Sequence, residues 1–151
     1  MTQRLDYMKA APDGLQALLG LEHYVATKAG LDPRLIHLLK LRASQINGCA
    51  YCVDMHTKEA RADGLSEQWI ALVSVWREAS VFDARERALL AWTEALTLVS
   101  TTNAPDADYD LMRAQFSEEE IAKLSLAIGT INIWNRLAVG FRTPHPVDVA
   151  A

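Results

Sequence analysis

"INGCAYCVDMHTKEA", residues 46–60, contains the two cysteines of the chain, Cys49 and Cys52, and places His56 four residues after the second. On a helix, which advances by about 100° per residue, these three side chains fall within about 60° of one another. They therefore share one stripe of the helix, and we expect them to face one cleft. The dipeptide Asn47-Gly48 just before them is a typical turn signal.

The composition predicts one globular domain over residues 1–151. Half of the residues are hydrophobic and 23% are charged, a balance typical of folded rather than disordered chains. The net charge of −4 and the lack of a Lys/Arg run argue against nucleic-acid binding. No stretch reaches the roughly 18 apolar residues of a membrane span. Because the N-terminal stretch also lacks the apolar run of a signal peptide, we expect a cytoplasmic protein.

The scarcity of helix-breaking residues predicts an all-α fold. The chain has five prolines and seven glycines, and its apolar residues recur at helical spacing. Predicted helix starts lie at Asp32-Pro33, at Asn47 or Gly48, and at Ser66, Asp83, Pro105 and Ser117. The helix that carries the cysteines is expected to end near Asp63. The tail after Arg142 contains two prolines and is expected to be irregular.

The turn at Asn47-Gly48 predicts an antiparallel helix pair with a pocket between its two members. His37 precedes Gly48 by eleven residues, and His56 follows it by eight. With a rise of about 1.5 Å per residue, the two imidazoles would lie at similar depth. The expected pocket has two thiols at its mouth and two imidazoles below.

Three interpretations of these four side chains stay open on the residues alone. In the first, the dithiol is a redox pair: one cysteine becomes a sulfenic acid as it reduces a peroxide, and the other condenses with it to a disulfide. A position at a helix start, which lowers the pKa of a cysteine thiol, favours this chemistry. In the second, two cysteines and two histidines form a Cys₂His₂ metal site. In the third, the cysteines are small core residues without chemistry.

Polar residues also interrupt the apolar C-terminal helix, at Asn132, Asn135 and Arg136. Buried amide and guanidinium groups need hydrogen-bond partners. We interpret all three as structural residues that tie helices together or reach across an oligomer interface.

The stretch "LKLRASQINGCAYCVDMHTKEARADG" resembles the alkylhydroperoxidase AhpD-like core of the carboxymuconolactone decarboxylase family. The resemblance is strongest over residues 33–64 and extends more weakly through "ALLAWTEALT" and "INIWNRLAVGFR". It implies an AhpD-like helical bundle that assembles into a homo-oligomer, with three or six subunits the first choice. It also implies a thiol peroxidase without a cofactor or metal, whose electrons come from a dithiol donor such as a lipoylated protein.

The same resemblance implies roles for four residues. Cys52 would attack the peroxide, Cys49 would resolve the sulfenic acid, and His56 would belong to the proton relay. His37 stands twelve residues before Cys49, where peroxidase members usually carry a glutamate. We therefore expect a dithiol-dependent alkyl hydroperoxide reductase with weak, pH-dependent turnover. A redox sensor, a general disulfide oxidoreductase and a Cys₂His₂ metal-binding protein are the alternatives.

Overall fold

The computed structural model describes residues 2–148, and this part of the chain is all-α, as the sequence predicted. Its α-helices are Tyr7–Ala10 (α1), Pro12–His23 (α2), Pro33–Ile46 (α3), Ala50–Ala62 (α4), Glu67–Leu72 (α5), Ala84–Thr97 (α6), Val99–Thr102 (α7), Asp106–Gln115 (α8) and Glu118–Phe141 (α9). A π-helical turn extends α2 and a 3-10 turn extends α5. None of these helices combines the length and apolar content needed to span a membrane. Met1 and residues 149–151, which the predicted domain includes, lie outside this description.

Most predicted helix starts are confirmed by the capping residues. Asp32 accepts a hydrogen bond from the backbone N–H of Arg34 at 2.9 Å at the start of α3. Ser66, Asp83 and Ser117 cap α5, α6 and α9 in the same way, and such side chains satisfy backbone N–H groups that the helix leaves unpaired. Pro105 precedes α8. Residues 143–148 form neither helix nor strand, as expected for the tail.

Helix α3 lies at the centre of the fold and packs against α4, α6 and α9. The fully buried core side chains include Leu38, Leu39 and Leu41 of α3, Leu89 and Leu90 of α6, and Leu124, Ile128 and Ile131 of α9. Each buried side chain of this size contributes about 1.5–3 kcal/mol relative to its exposed state. The core therefore fixes α3 and α9 next to the cysteine-bearing helix.

Two partly buried polar clusters join α3 to α6. In each, an arginine of α3 and the indole N–H of a tryptophan donate to one carboxylate of α6. The clusters are Arg34, Glu86 and Trp69, and Arg42, Glu94 and Trp76. They lie eight residues apart along both helices, which is about two turns. This repeated pairing sets the register of α3 and, with it, the position of the turn that follows.

The turn after α3 differs from the prediction. Helix α4 begins at Ala50 with Cys49 as its N-cap, and not at Asn47 or Gly48. The reason is the left-handed φ of +63° at Gly48, a conformation that ends α3 and that glycine adopts without strain. The N–H of Cys49 then donates to the carbonyl of Ser44 at 3.0 Å. Cys49 therefore stands at the cap of the helix, just outside its first turn.

Candidate active site

Cys49 and Cys52 lie side by side at the start of α4, with their sulfur atoms 2.7 Å apart. The Sγ of Cys49 accepts a hydrogen bond from the backbone N–H of Cys52 at 3.3 Å, as an N-cap side chain does. Both are free thiols, and they are 1% and 2% exposed. A small movement of either side chain brings the sulfurs to disulfide distance.

The two thiols differ in acid strength. The hydrogen bond between the two thiols lowers the pKa of Cys49 to about 7, against the opposing effect of burial. The backbone N–H groups of Cys52 and Tyr51 and the amide of Asn135 lower it further. The same thiol–thiol bond, together with burial, raises the pKa of Cys52. The depressed pKa expected at this helix start thus belongs to Cys49, and near neutral pH the pair holds one negative charge and one proton.

A cavity of about 260 Å³ opens beside Cys52, and Cys49 does not line it. Its apolar walls are Tyr7, Met8, Tyr51, Met55, Ile131, Trp134 and Ala138. Its polar lining consists of Glu22, Lys40, His56 and Glu59, in addition to the Cys52 thiol. A concave, mostly apolar site with a few polar groups is typical of a small-molecule pocket.

His56 is held in the cavity by Glu59, one turn further along α4. The Nδ1 of His56 lies 2.8 Å from Glu59 Oε2, and this bond is the main cause of the lowered pKa of the Glu59 carboxyl. Since the ionised carboxylate only accepts, Nδ1 carries a proton. The Nε2 of His56 is buried and has no hydrogen-bond partner. In the neutral imidazole this atom carries a free lone pair, and the side chain to which it belongs lines the cavity.

His37 does not line the cavity, and Lys40 takes the place predicted for it. Lys40 and His56 are each eight residues from Gly48, whereas His37 is eleven away. On two helices that run back from a turn, equal distance in sequence puts Lys40 level with His56. His37 lies deeper along the pair, where its Nε2 bonds to Asp63 Oδ2 at 2.7 Å. The expected arrangement of two imidazoles below the thiols is therefore not what the structure has.

The four residues of the alternative Cys₂His₂ set are not brought together. His56 bonds to Glu59, and His37 bonds to Asp63 at the far end of α4. Across residues 2–148, the structure contains no group of three or more His, Cys, Asp or Glu side chains placed to hold a metal ion. The cysteine pair packs against Ala138 and Tyr51 instead.

One residue of the site was missed from the sequence. Glu59 was not singled out, although its spacing of three from His56 on a helix is a readable signal. Asn135 was interpreted as a structural residue, and its amide joins α9 to the end of α3 by accepting from Asn47 at 2.9 Å and donating to Ser44 at 3.1 Å.

Several known proteins are similar to this chain in fold and sequence. Residues 12–95 match the carboxymuconolactone decarboxylase family. The uncharacterized protein YdfG of Bacillus subtilis is 37% identical over 139 residues, which cover 92% of this chain and 94% of YdfG. A crystal structure of a protein of unknown function from Agrobacterium tumefaciens, for which an AhpD role in antioxidant defence has been suggested, superposes with a TM-score of 0.95 at 58% identity. It covers 97% of this chain and 100% of its own.

A more distant match is an uncharacterized peroxidase-related protein from Ralstonia eutropha with an alkylhydroperoxidase AhpD core. Its TM-score is 0.80 at 20% identity, over 93% of this chain and 74% of the other, so it supports the fold alone. The resemblance read from the cysteine-containing stretch is confirmed. The chain belongs to the carboxymuconolactone decarboxylase family and has its AhpD-like core.

Proposed function

We propose that the protein reduces organic hydroperoxides with the Cys49–Cys52 dithiol and is then reduced again by a small dithiol. The observation that carries this proposal is the placement of Cys52. Its sulfur lies 2.7 Å from a second sulfur, and it lines a cavity that is also lined by His56, whose buried Nε2 has no hydrogen-bond partner. The dithiol, an acid–base group and a space for the substrate therefore lie close together.

The first step is attack on the peroxide. The proton on Cys52 passes to the Cys49 sulfur along the hydrogen bond between them, which leaves the single negative charge on Cys52. The Cys52 thiolate attacks the terminal peroxide oxygen and the O–O bond breaks. His56 Nε2 takes the proton of the peroxide O–H group and gives it to the departing alkoxide. The products are an alcohol and a Cys52 sulfenate.

The second step closes the disulfide. The Cys49 thiol gives its proton to the sulfenate and attacks the Cys52 sulfur. The S–S bond forms, and hydroxide leaves and takes up one proton to become water. In total, one hydroperoxide and one proton are consumed, and one alcohol, one water and the disulfide are formed. Two electrons from an external dithiol restore the reduced pair.

Burial of the sulfurs limits the reductant. Both cysteines are almost inaccessible, so the disulfide of a folded protein substrate does not reach them. A dithiol on a slender, flexible arm can enter through the cavity, and a lipoyl group has this shape. The burial thus supports a peroxidase over a general disulfide oxidoreductase.

Glu59 takes the part that a glutamate at position 37 would play. Its carboxylate bonds directly to His56 Nδ1, so it fixes the tautomer in which Nε2 is the acceptor nitrogen. His37 lies close enough to Glu59 for its charge to lower the pKa of that carboxyl. We therefore assign His37 to the outer part of the relay, where it acts through Glu59 and not on a sulfur.

A peroxide-consumption assay with an organic hydroperoxide and a small dithiol reductant tests the proposal. The wild type should turn over many equivalents, and Cys52→Ser should turn over none. Cys49→Ser should consume one equivalent and stop at the sulfenic acid, trapped with a dimedone-type reagent. Equal turnover in the wild type and Cys52→Ser would refute the proposed function.

A further inference from the structure

We propose that the ion pair of Lys40 and Glu22 determines which hydroperoxides the cavity accepts, so that uncharged organic hydroperoxides bind and those with a carboxylate are rejected. This inference rests on the hydroperoxide chemistry proposed above and narrows its substrate class. Both side chains line the cavity that Cys52 and His56 also line. They place two opposite charges in a lining that consists mostly of apolar side chains.

The pair is held in place by three helices. Lys40 of α3 is 8% exposed, and its ammonium donates to Glu22 Oε1. Glu22 belongs to the last turn of α2, and its Oε2 accepts from the indole N–H of Trp134 on α9 at 3.1 Å. Each carboxylate oxygen of Glu22 therefore has its own donor, and the carboxylate is fixed beside the ammonium.

Protein stability alone does not account for a charged pair at this place. Taking two charges out of water costs free energy, and replacing a buried ion pair with apolar side chains of similar volume is often neutral or stabilising. The wall around the pair already contains apolar side chains, such as Met55 and Ile131, against which an apolar pair could pack. A role toward the molecule in the cavity accounts for the charges.

Lys40 keeps hydrogen-bonding capacity for such a molecule. An ammonium group carries three protons, and within residues 2–148 Glu22 is the sole hydrogen-bond partner of this one. Two N–H groups are therefore left for an oxygen atom of a ligand. A hydrogen bond from a charged donor is about twice as strong as one between neutral groups, so Lys40 can hold an uncharged oxygen of the substrate.

The other charges of the lining decide against an anionic substrate. Glu22 neutralises Lys40 within the pair, whereas Glu59 bonds to His56, which is neutral in the form that accepts the peroxide proton. The dithiol adds one further negative charge beside the cavity. A substrate carboxylate would lose its hydration and meet an excess of negative charge, which is costly in a site of low dielectric constant. An uncharged hydroperoxide avoids this cost.

A titration of the reduced full-length chain with two unreactive alcohols tests this selection. The probes are 2-phenylpropan-2-ol and its 4-carboxylate, which differ by one negative charge, and two-dimensional NMR follows the indole N–H of Trp134. The wild type should bind the uncharged alcohol about tenfold more tightly than the carboxylate. Glu22→Gln leaves the ammonium without its counter-charge, so this variant should bind the carboxylate about tenfold more tightly than the wild type does.

Two further variants separate this role from a purely structural one. Glu119→Gln removes the same charge from an exposed pair with Lys123, and it should discriminate between the alcohols as the wild type does. Lys40→Met combined with Glu22→Gln removes the free ammonium, so the gain in carboxylate binding should disappear. A pair that only ties α2 to α3 and α9 would change the affinity for both alcohols alike, and this result would overturn the assignment.

Equal affinities of the wild type for the two alcohols, or a Glu22→Gln variant with wild-type discrimination, would also overturn it. If Glu22→Gln does not fold, Lys40→Met gives the second test: without the donor, the uncharged alcohol should bind about tenfold more weakly, and an unchanged affinity would contradict the proposal. None of these titrations uses a peroxide. A wild type that discriminates between the alcohols but consumes no peroxide would count against the proposed function alone.

Discussion

At the scale of single residues, the acid strength of the two cysteines follows from where each stands at the helix start. Cys49 is the N-cap, so its sulfur accepts from the Cys52 backbone N–H, and the bond between the two thiols lowers its pKa. Cys52 stands inside the first turn, 2.7 Å from that sulfur, and the bond between the two thiols raises its pKa. The Cys49 sulfur therefore holds the negative charge, whereas Cys52 lines the cavity and keeps its proton.

The pH dependence of the reaction follows from the Cys49 pKa of about 7, below the usual thiol value. Because the thiolate exists above the pKa, peroxide turnover should increase as the pH rises through about 7. Cys52→Ala removes the largest contribution to the lowered pKa and should move the Cys49 midpoint upward. The rate of alkylation by iodoacetamide against pH measures it. A Cys52→Ala midpoint that stays near 7 would show that the thiol–thiol bond is not the cause.

Loss of the Glu59 carboxylate is expected to reduce turnover by as much as loss of a general acid–base group does. Glu59→Ala removes the partner of His56 Nδ1, so the imidazole loses its fixed tautomer, and turnover should fall about 10²-fold. Steady-state peroxide consumption measures the effect. Glu119→Ala, which removes an exposed pairing with Lys123 on α9, is the control and should keep wild-type turnover. Equal rates in all three proteins would contradict the His56–Glu59 relay.

The outer position assigned to His37 predicts a particular order of effects. His37→Ala should reduce turnover less than Glu59→Ala does. If His37 acts through Glu59, the double variant should be no slower than Glu59→Ala alone, because residues in one pathway are not additive. Additive losses in the double variant would place His37 on a separate path to the dithiol.

At the scale of helices, the two arginine–carboxylate–tryptophan clusters hold the register on which the site depends. Glu86 is nearly fully buried and accepts from Arg34 and from the indole of Trp69. Glu86→Gln removes the charge from these bonds and should lower the free energy of unfolding by about 2 kcal/mol. Urea denaturation measures it.

Glu67→Gln is the matched control for that measurement. Glu67 pairs with Arg61 on the surface, and exposed pairs contribute about 0–1 kcal/mol. A loss in Glu86→Gln no larger than in Glu67→Gln would mean that the cluster does not stabilise the contact between α3 and α6.

Helix starts were predictable because they depend on residues next to each other in sequence. Ser66, Asp83 and Ser117 each bond to a backbone N–H three residues later, and this pattern is visible without a structure. The start of α4 was not predictable to the residue, since it depends on the left-handed φ that Gly48 adopts. That difference placed Cys49 at the cap, where its sulfur accepts from the backbone N–H of Cys52.

The cavity was less predictable than the dithiol for a similar reason. The motif supplies Cys52, His56 and Glu59 from one helix. Glu22 of α2 and Trp134 of α9 come from parts of the chain far away in sequence, and they meet through a hydrogen bond at 3.1 Å. Only the packing of the whole bundle places them at the dithiol.

At the scale of the whole molecule, the apolar face of helix α2 is not buried. None of its residues is buried. Between α2 and α9 runs a groove of about 500 Å³, lined by Tyr7, Ala11, Gly14, Leu15, Ala17, Leu18, Leu21, Ile133 and Leu137. Continuous apolar surface of this kind marks an interaction site. The homo-oligomer expected from the sequence stays a prediction, and a second copy on this groove is its simplest form.

Leu18→Glu tests that prediction by placing a charge in the groove. Light scattering at micromolar concentration should give three or six times the chain mass of 16.7 kDa for the wild type and a smaller particle for the variant. Val75→Glu, at an exposed apolar residue elsewhere, should keep the wild-type size. A wild type that scatters as one chain would contradict the oligomer.

The most direct test of the dithiol account is mass spectrometry of the intact protein after one equivalent of an organic hydroperoxide. The wild type should lose the mass of two hydrogens, with the disulfide located between Cys49 and Cys52. Cys49→Ser should gain the mass of one oxygen at Cys52, the cysteine that lines the cavity. Free thiols that persist in the wild type, or oxygen added at Cys49 in Cys52→Ser with none at Cys52 in Cys49→Ser, would contradict the account.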